Sequence, residues 1–334
     1  MGIDVSRRLP LVPASFFGIV LGTVGLGDCW RASHEAWGTS TVISDTIMTV
    51  AVVVWIALVV LFAAKWILRT DVALAEFHHP VQSCSIGLVA VTTLLMAYLA
   101  DGWSRPLALV LFAVGAIGQL LYGCYFTANR LKGGPDALTI SAAIYLPTVA
   151  GNFVSAFAAA YIGLHALAVL FFGAGVLSWL MIESQVGFRM AFSPRAAGPM
   201  LPAMGILLAP PVVGCEAYLF IDQGRPGTFA LALVGYGLFL FFVLAWSLPA
   251  VVAAQPFSAA YWAYSFGVTS LAFDLILMHA RGLGGFFDWI SIVGLVVANA
   301  AVAILAVGTL VLLGKGKLIP KPALANQPAS PAVR

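Results

Sequence analysis

Long apolar stretches separated by short polar gaps run through most of the chain, and segments such as Val50–Phe62 present no polar face at either helical or strand periodicity. A helix needs about 20 mostly apolar residues to cross a hydrocarbon core of about 30 Å. Ten windows meet that requirement: residues 13–30, 42–68, 81–100, 106–128, 144–163, 166–184, 200–221, 228–248, 259–279 and 287–313. Gly163, Leu164 and His165 predict a very tight turn between the fifth window and the sixth. The expected fold is an all-α membrane protein with ten transmembrane helices. One membrane domain covers 13–314, after a short N-terminal segment, 1–12. The tail, 315–334, is mostly Pro, Ala, Ser, Asn and Gln from Pro320 onward, and a segment with so little to bury is expected to be disordered.

The windows fall into two kinds. Odd-numbered ones are light and hydroxyl-bearing, with Gly18, Gly22 and Gly25 in the first, Thr92 and Thr93 in the third, Gly151, Asn152 and Ser155 in the fifth, and Thr269 and Ser270 in the ninth. Even-numbered ones are bulky, as in Val52–Phe62 and Leu238–Val243. Pro13, Pro80 and Pro147 recur every 67 residues at the starts of odd windows, Pro210 follows after 63 and Gly267 after 57. This rhythm predicts five helical hairpins of one orientation, a parallel repeat. Closed around an axis normal to the membrane, they would place the lighter helices inside, around a central pore. Small residues also permit close helix packing, and Gly18-x-x-x-Gly22 fits that use too. A helix-interior proline frees a carbonyl that must face protein or water within a membrane, so Pro147 and Pro210–Pro211 predict kinked inner helices.

Charge adds orientation. The chain carries 16 Lys and Arg, and those on the N-terminal side of the alternation are Arg7 and Arg8, Lys65 and Arg69, Arg130 and Lys132, Arg189 and Arg195, and the four from Lys315 to Arg334. Only Arg31, Arg105, Arg225 and Arg281 lie opposite. By the positive-inside rule both termini are cytoplasmic, which an even number of spans requires. The first window has basic residues before it but no small-residue cleavage site after it, and reads as a retained span in an inner (plasma) membrane. Cys29, Cys84, Cys124 and Cys215 lie on four spans without a C-x-x-C pair and are expected to be packed.

Enzyme chemistry has little support. There is no H-E-x-x-H, no G-x-S-x-G, no phosphate loop and no metal-ligand cluster, so neither catalysis nor a cofactor is expected, and no nucleic-acid partner. The middles of the odd spans are neutral, a lumen that filters ions without binding them tightly. Glu216 and Asp274, five residues from the outer ends of spans seven and nine, are the exceptions. They are either vestibule residues reached by water or coupling-ion ligands. Phe266 sits about mid-span beside Gly267, with Thr269 and Ser270 one turn on, where an apolar ring can close a narrow neutral pore by occlusion or dewetting. Phe17-Gly18 and Asn152-Phe153 echo that pattern in spans one and five. The pore-lining candidates are therefore Phe17, Gly18, Gly22, Thr92, Asn152, Phe153, Pro210, Gly267, Thr269 and Ser270.

The runs Phe16-Phe17-Gly18-Ile19, His79-Pro80-Val81, Tyr145-Leu146-Pro147, Phe171-Phe172-Gly173-Ala174-Gly175 and Trp262-Ala263-Tyr264-Ser265-Phe266-Gly267 resemble the tellurite-resistance/dicarboxylate transporter family. That family includes bacterial tellurite-resistance proteins, fungal malate and sulfite transporters, and plant guard-cell slow anion channels. The resemblance implies a homotrimer of ten-helix protomers, each with its own pore lined by the five odd helices, and a gating phenylalanine at Phe266. The leading expectation is a passive channel for small inorganic or organic anions, occluded by Phe266. The alternative is a proton-coupled transporter or exporter of a C4-dicarboxylate, sulfite or tellurite-type oxyanion, motivated by Glu216 and Asp274. Cations at the inner mouths and acids toward the outside would concentrate anions at the cytoplasmic entrance and favour their exit.

Overall fold

The computed structural model describes residues 10–133, 141–192 and 198–319. Met1 to Leu9, Arg195 and the tail from Pro320, on which part of the charge bias and the expected disorder fall, lie outside the described residues.

Helix is the only regular structure among the described residues. Five long, unbroken α-helices correspond to the bulky windows: α2 (Thr41–Leu68), α5 (Arg105–Leu131), α7 (His165–Phe192), α9 (Thr228–Ala254) and α11 (Phe286–Gly314). The light windows are built differently. Each opens with irregular, tighter or wider turns before an α-helix begins: Ala14–Phe16 before α1 (Phe17–Trp37), Gln82–Ile86 before α4 (Gly87–Asp101), Ala142–Tyr145 and a π-turn at Leu146–Ala150 before α6 (Gly151–Tyr161), Gly198–Leu208 before α8 (Ala209–Ile221), and Ala259–Tyr264 before α10 (Ser265–Ala280). A short helix that no window predicted, α3 (Thr70–His78), is polar enough to lie outside the spans.

Burial separates the two kinds. In the apolar windows of the spans containing α4, α6, α8 and α10, 61%, 94%, 72% and 72% of residues are buried, against 22–33% for α2, α5, α7, α9 and α11. The light helices are inside because neighbours surround them, whereas the bulky ones face what would be lipid. Each inner helix packs on the outer helix that follows it, and the inner helices contact one another in the order α1, α4, α6, α8, α10 and back to α1. The ring is therefore closed. Among the described residues, nine helices are long and apolar enough to cross a membrane. The first window forms α1, whose 21 residues include Asp28, Arg31, His34 and Glu35, and it is not one of the nine.

Close packing explains several light residues. A Cβ on Gly22 would strike the Ser265 side chain, and one on Gly25 would lie 2.9 Å from Thr269 Cβ, so the glycine stripe of α1 lets α10 approach. Gly267 does the same for the start of α8, where its Cβ would lie 2.9 Å from that of Leu208. The Ala143 carbonyl, which Pro147 has no amide to serve, accepts from the Leu146 amide, while the carbonyl of Pro147 itself accepts from Gln119 Nε2 on α5, and Gly151 leaves room for that side chain. At the start of the third window, His79 Nδ1 accepts from the amides of Val81 and Gln82 at 3.2 and 3.1 Å, capping the turn that Pro80 begins.

Lys65 belongs to the cationic set, yet it is 1% exposed. Its ammonium pairs with Glu76 of α3 and donates to the Val12 carbonyl at 2.8 Å, while the Ala14 amide donates to Glu76 Oε1 at 2.7 Å. One buried ion pair thus fastens the chain entering α1 to α2 and α3. Of the cysteines, Cys29, Cys84 and Cys215 are buried, but Cys124 is exposed because it lies on the outward face of α5.

Candidate permeation pathway

Two cavities occupy opposite ends of the inner ring. The first, about 200 Å³, is lined from the starts of all five inner spans, by residues such as Gly18 and Leu21, Leu88 and Val91, Ala150, Ala209 and Phe266. Its wall has no charged side chain, and Ser15, Gln82 and Ser85 supply its polar groups. The second, about 380 Å³, is lined from the other ends of the same helices and carries charge: Arg31 and Glu35 of α1, Tyr98 of α4, Tyr161 of α6, Phe220 of α8, and Phe273 and Arg281 at α10. Because starts gather at one cavity and ends at the other, all five inner helices run in the same direction.

Between the cavities the ring is tightly filled. Phe266 is 7% exposed and forms part of the first cavity's wall, with Gly25 of α1 close beside its ring. Eight residues further along α10, about 12 Å by helical rise, stands Asp274, 0% exposed. Glu216 of α8 and Asp28 of α1 are each 4% exposed. Glu216 is within charge–charge range of both Asp28 and Asp274, although α1 and α8 flank α10 from opposite sides. Asp28 Oδ1 accepts from the Tyr98 hydroxyl at 2.5 Å, and that hydroxyl accepts from Arg31 Nη1 at 2.7 Å. Glu216 Oε2, the Ser270 hydroxyl and both oxygens of Asp274 are buried without a hydrogen-bond partner. The Cys215 thiol, beside Asp274, donates to the Ala230 carbonyl at 3.6 Å.

The other candidates divide by the way their helices are rotated. Gly18 lines the first cavity with Phe266, while Gly22 faces Ser265 and Gly267 faces Leu208. Phe17 is fully buried, edge-on to Phe62 of α2 with ring centres 5.8 Å apart. Phe153 is also fully buried; a Cβ on Gly175 or Gly214 would approach its ring to 2.7 or 3.0 Å, so it is seated between α7 and α8. Thr92 and Thr269 turn their hydroxyls onto carbonyls of their own helices, at 2.8 Å to Leu88 and 3.0 Å to Ser265. Asn152 donates to Thr148 at 2.6 Å, and Pro210 is buried in the first turn of α8, where a missing amide costs nothing. Asp28 is the member of the acidic group that was not among the candidates read from the sequence. Its position inside an apolar window was the available signal.

The sequence profile of the SLAC1 family, described as voltage-dependent anion channel, matches residues 12–310. The chain belongs to the SLAC1 family. A tellurite resistance protein TehA homolog from Haemophilus influenzae is 33% identical over 321 residues, 96% of each chain. The S-type anion channel SLAH2 of Arabidopsis thaliana is 23% identical over 279 residues, 78% of this chain and 51% of its own length. An uncharacterized transporter of Methanocaldococcus jannaschii is 26% identical over 231 residues, 60% of this chain. The SLAC1-family chain described here is thus a multi-pass protein of the plasma membrane, in a family of anion channels and transporters.

Proposed function

We propose that this protein is a passive anion channel whose conduction path runs along the axis of the inner ring and is closed by Phe266. The observation that carries the reading is the neutral cavity contributed by all five inner spans, with Phe266 in its wall and a second, charged vestibule at the other ends of the same helices. A neutral, apolar wall offers an anion no tight site, so passage would be governed by size and by the cost of shedding water. In this reading α1 is the tenth span, the ten helices form five hairpins, and both termini face the cytoplasm together with the first cavity. Three protomers, each with its own pore, make the assembled channel.

The test is anion current in planar bilayers or oocytes from wild type and Phe266→Ala. Removing the ring is expected to raise the current; a variant that conducts no more than wild type would end the gating assignment. The buried carboxyl groups of Glu216 and Asp274 favour a second reading, a proton-coupled carrier of oxyanions. Only a carrier would drive anion uphill in proteoliposomes when the sole energy source is an imposed pH gradient.

A further inference from the structure

Three buried carboxyl groups lie on the inner helices α1, α8 and α10, toward the second cavity from Phe266. Glu216 and Asp274 expose 4% and 0% of their surface, and Asp28 4%. The trio is joined to the second vestibule by one chain of contacts. Tyr98 lines that vestibule, and its hydroxyl donates to Asp28, which lies within charge–charge range of Glu216, itself within range of Asp274. The pairing inside the trio is incomplete. Glu216 Oε2 and both Asp274 oxygens lack a hydrogen-bond partner, and so does the buried hydroxyl of Ser270, one turn before Asp274 and beside Glu216. Buried polar atoms are nearly always paired, so carboxyl oxygens this deeply buried call for a proton or another cation to balance them.

Donor geometry narrows the occupant. No group of three His, Cys, Asp or Glu among the described residues converges as metal ligands do. A proton needs no such convergence; it can sit on one carboxyl and be shared with a neighbouring oxygen or hydroxyl. The remaining titratable or charged groups around the trio supply no substitute cation. Cys29 of α1 and Cys215 of α8 are buried free cysteines, which bring no cation. Arg31 is engaged by the Tyr98 hydroxyl. Arg281, at the end of α10, donates to the carbonyls of Leu219 and Asp222, and His279 faces Asp288 of α11 at 3.2 Å. Tyr161 of α6 lies against the Tyr98 ring; α9 brings no charged side chain, and Asp45 of α2 is exposed.

We propose that Asp28, Glu216 and Asp274 form a proton-binding site in the conduction path, loaded from the vestibule lined by Arg31 and Tyr98, and that an anion crosses only when the site is protonated. The proposal rests on the channel reading above and adds a chemical control to it. Ionised, the trio would put up to three negative charges in the way of a permeating anion; protonated, it would offer O–H donors to it instead. Phe266 and the trio are then two barriers in series, one steric and one electrostatic. Tyr98 is a positioning residue, holding Asp28 toward the vestibule.

The purified full-length chain in proteoliposomes tests this through chloride and nitrate flux, with pH set separately on each side. Wild type and Phe266→Ala are both expected to conduct more as the vestibule side is acidified from pH 8 to 5, by up to about tenfold per pH unit where one proton limits passage. Glu216→Gln with Asp274→Asn should conduct at pH 8 as wild type does at pH 5, with a flattened profile. Glu216→Gln alone should shift the profile in the same direction, and serves if the double variant does not elute as a folded species. Tyr98→Phe should move the pH profile without abolishing flux. A Phe266→Ala variant that conducts equally at every pH would overturn the proton site while leaving the channel standing. Absence of anion flux from every variant at every pH would remove both.

Discussion

The buried pair Lys65–Glu76 gives the sharpest stability prediction. Their side chains are 2% and 8% exposed, and between them they also hold the Val12 carbonyl and the Ala14 amide. Glu76→Gln keeps an acceptor for that amide but leaves the Lys65 ammonium without its counter-charge, and breaking a buried pair from one side costs about 3–5 kcal/mol. Glu76→Ala also orphans the amide, a further loss of about 1–3 kcal/mol. Lys65→Met with Glu76→Gln removes the stranded charge while keeping the amide's acceptor, and loses mainly the hydrogen bond to Val12, about 1 kcal/mol. The expected order of stability is therefore wild type, then the double variant, then Glu76→Gln, then Glu76→Ala. Equilibrium unfolding by steric trapping in bicelles measures these differences. If the double variant proves no more stable than Glu76→Gln, the ion pair is not what fastens the N-terminal segment. Because that segment leads into Ser15 and Gly18 of the first cavity, the single variants should also make anion flux more variable at fixed voltage.

Gly25→Val should push α1 from α10 at Thr269, costing about 1–3 kcal/mol as overpacking, and in Thr269→Ala the same substitution should cost less because the hydroxyl nearest the new side chain is gone; thermal stability of the four proteins checks this. Gln119→Leu should leave the Pro147 carbonyl without its side-chain partner, a loss of about 1–3 kcal/mol, seen as faster amide exchange across Leu146–Ala150 than in α6. On the surface, hydrogen bonds from Arg69 at 3.2 and 3.1 Å hold the Asp71 carboxyl below its ordinary value of 3.8. A depressed carboxylate adds stability above its unfolded pKa and loses it as pH falls through the folded one. Arg69→Ala should therefore raise the Asp71 titration midpoint in a carboxyl NMR titration, with no measurable stability change for so exposed a group.

Much of the architecture was legible in the chain because membrane insertion is governed by local composition. Val50–Phe62 can only be a buried or lipid-facing helix, and the contrast between it and the glycine and hydroxyl residues of the first, third, fifth and ninth windows anticipated which helices the structure buries. The proline rhythm likewise marked where the inner spans become irregular, although the carbonyl that Pro147 cannot pair, that of Ala143, meets the Leu146 amide rather than a cavity. Short polar helices give no such signal, which is why α3 and its Glu76 escaped notice.

By itself the sequence determined which segments are apolar enough to span and which five are light enough to pack inside, since both follow from side-chain size and transfer cost, residue by residue. Tertiary structure decided the rotation of each helix about its axis. That rotation turns Gly18 toward the cavity and Gly22 toward Ser265, seats Phe153 against Gly175 and Gly214, and draws Lys65 out of the cationic set into a buried pair. It also brings Cys29 onto the Thr269 carbonyl, 240 positions away, and gathers Asp28, Glu216 and Asp274 from three helices. An inner helix is packed on every side, so its own periodicity names no preferred face; only its neighbours can fix one.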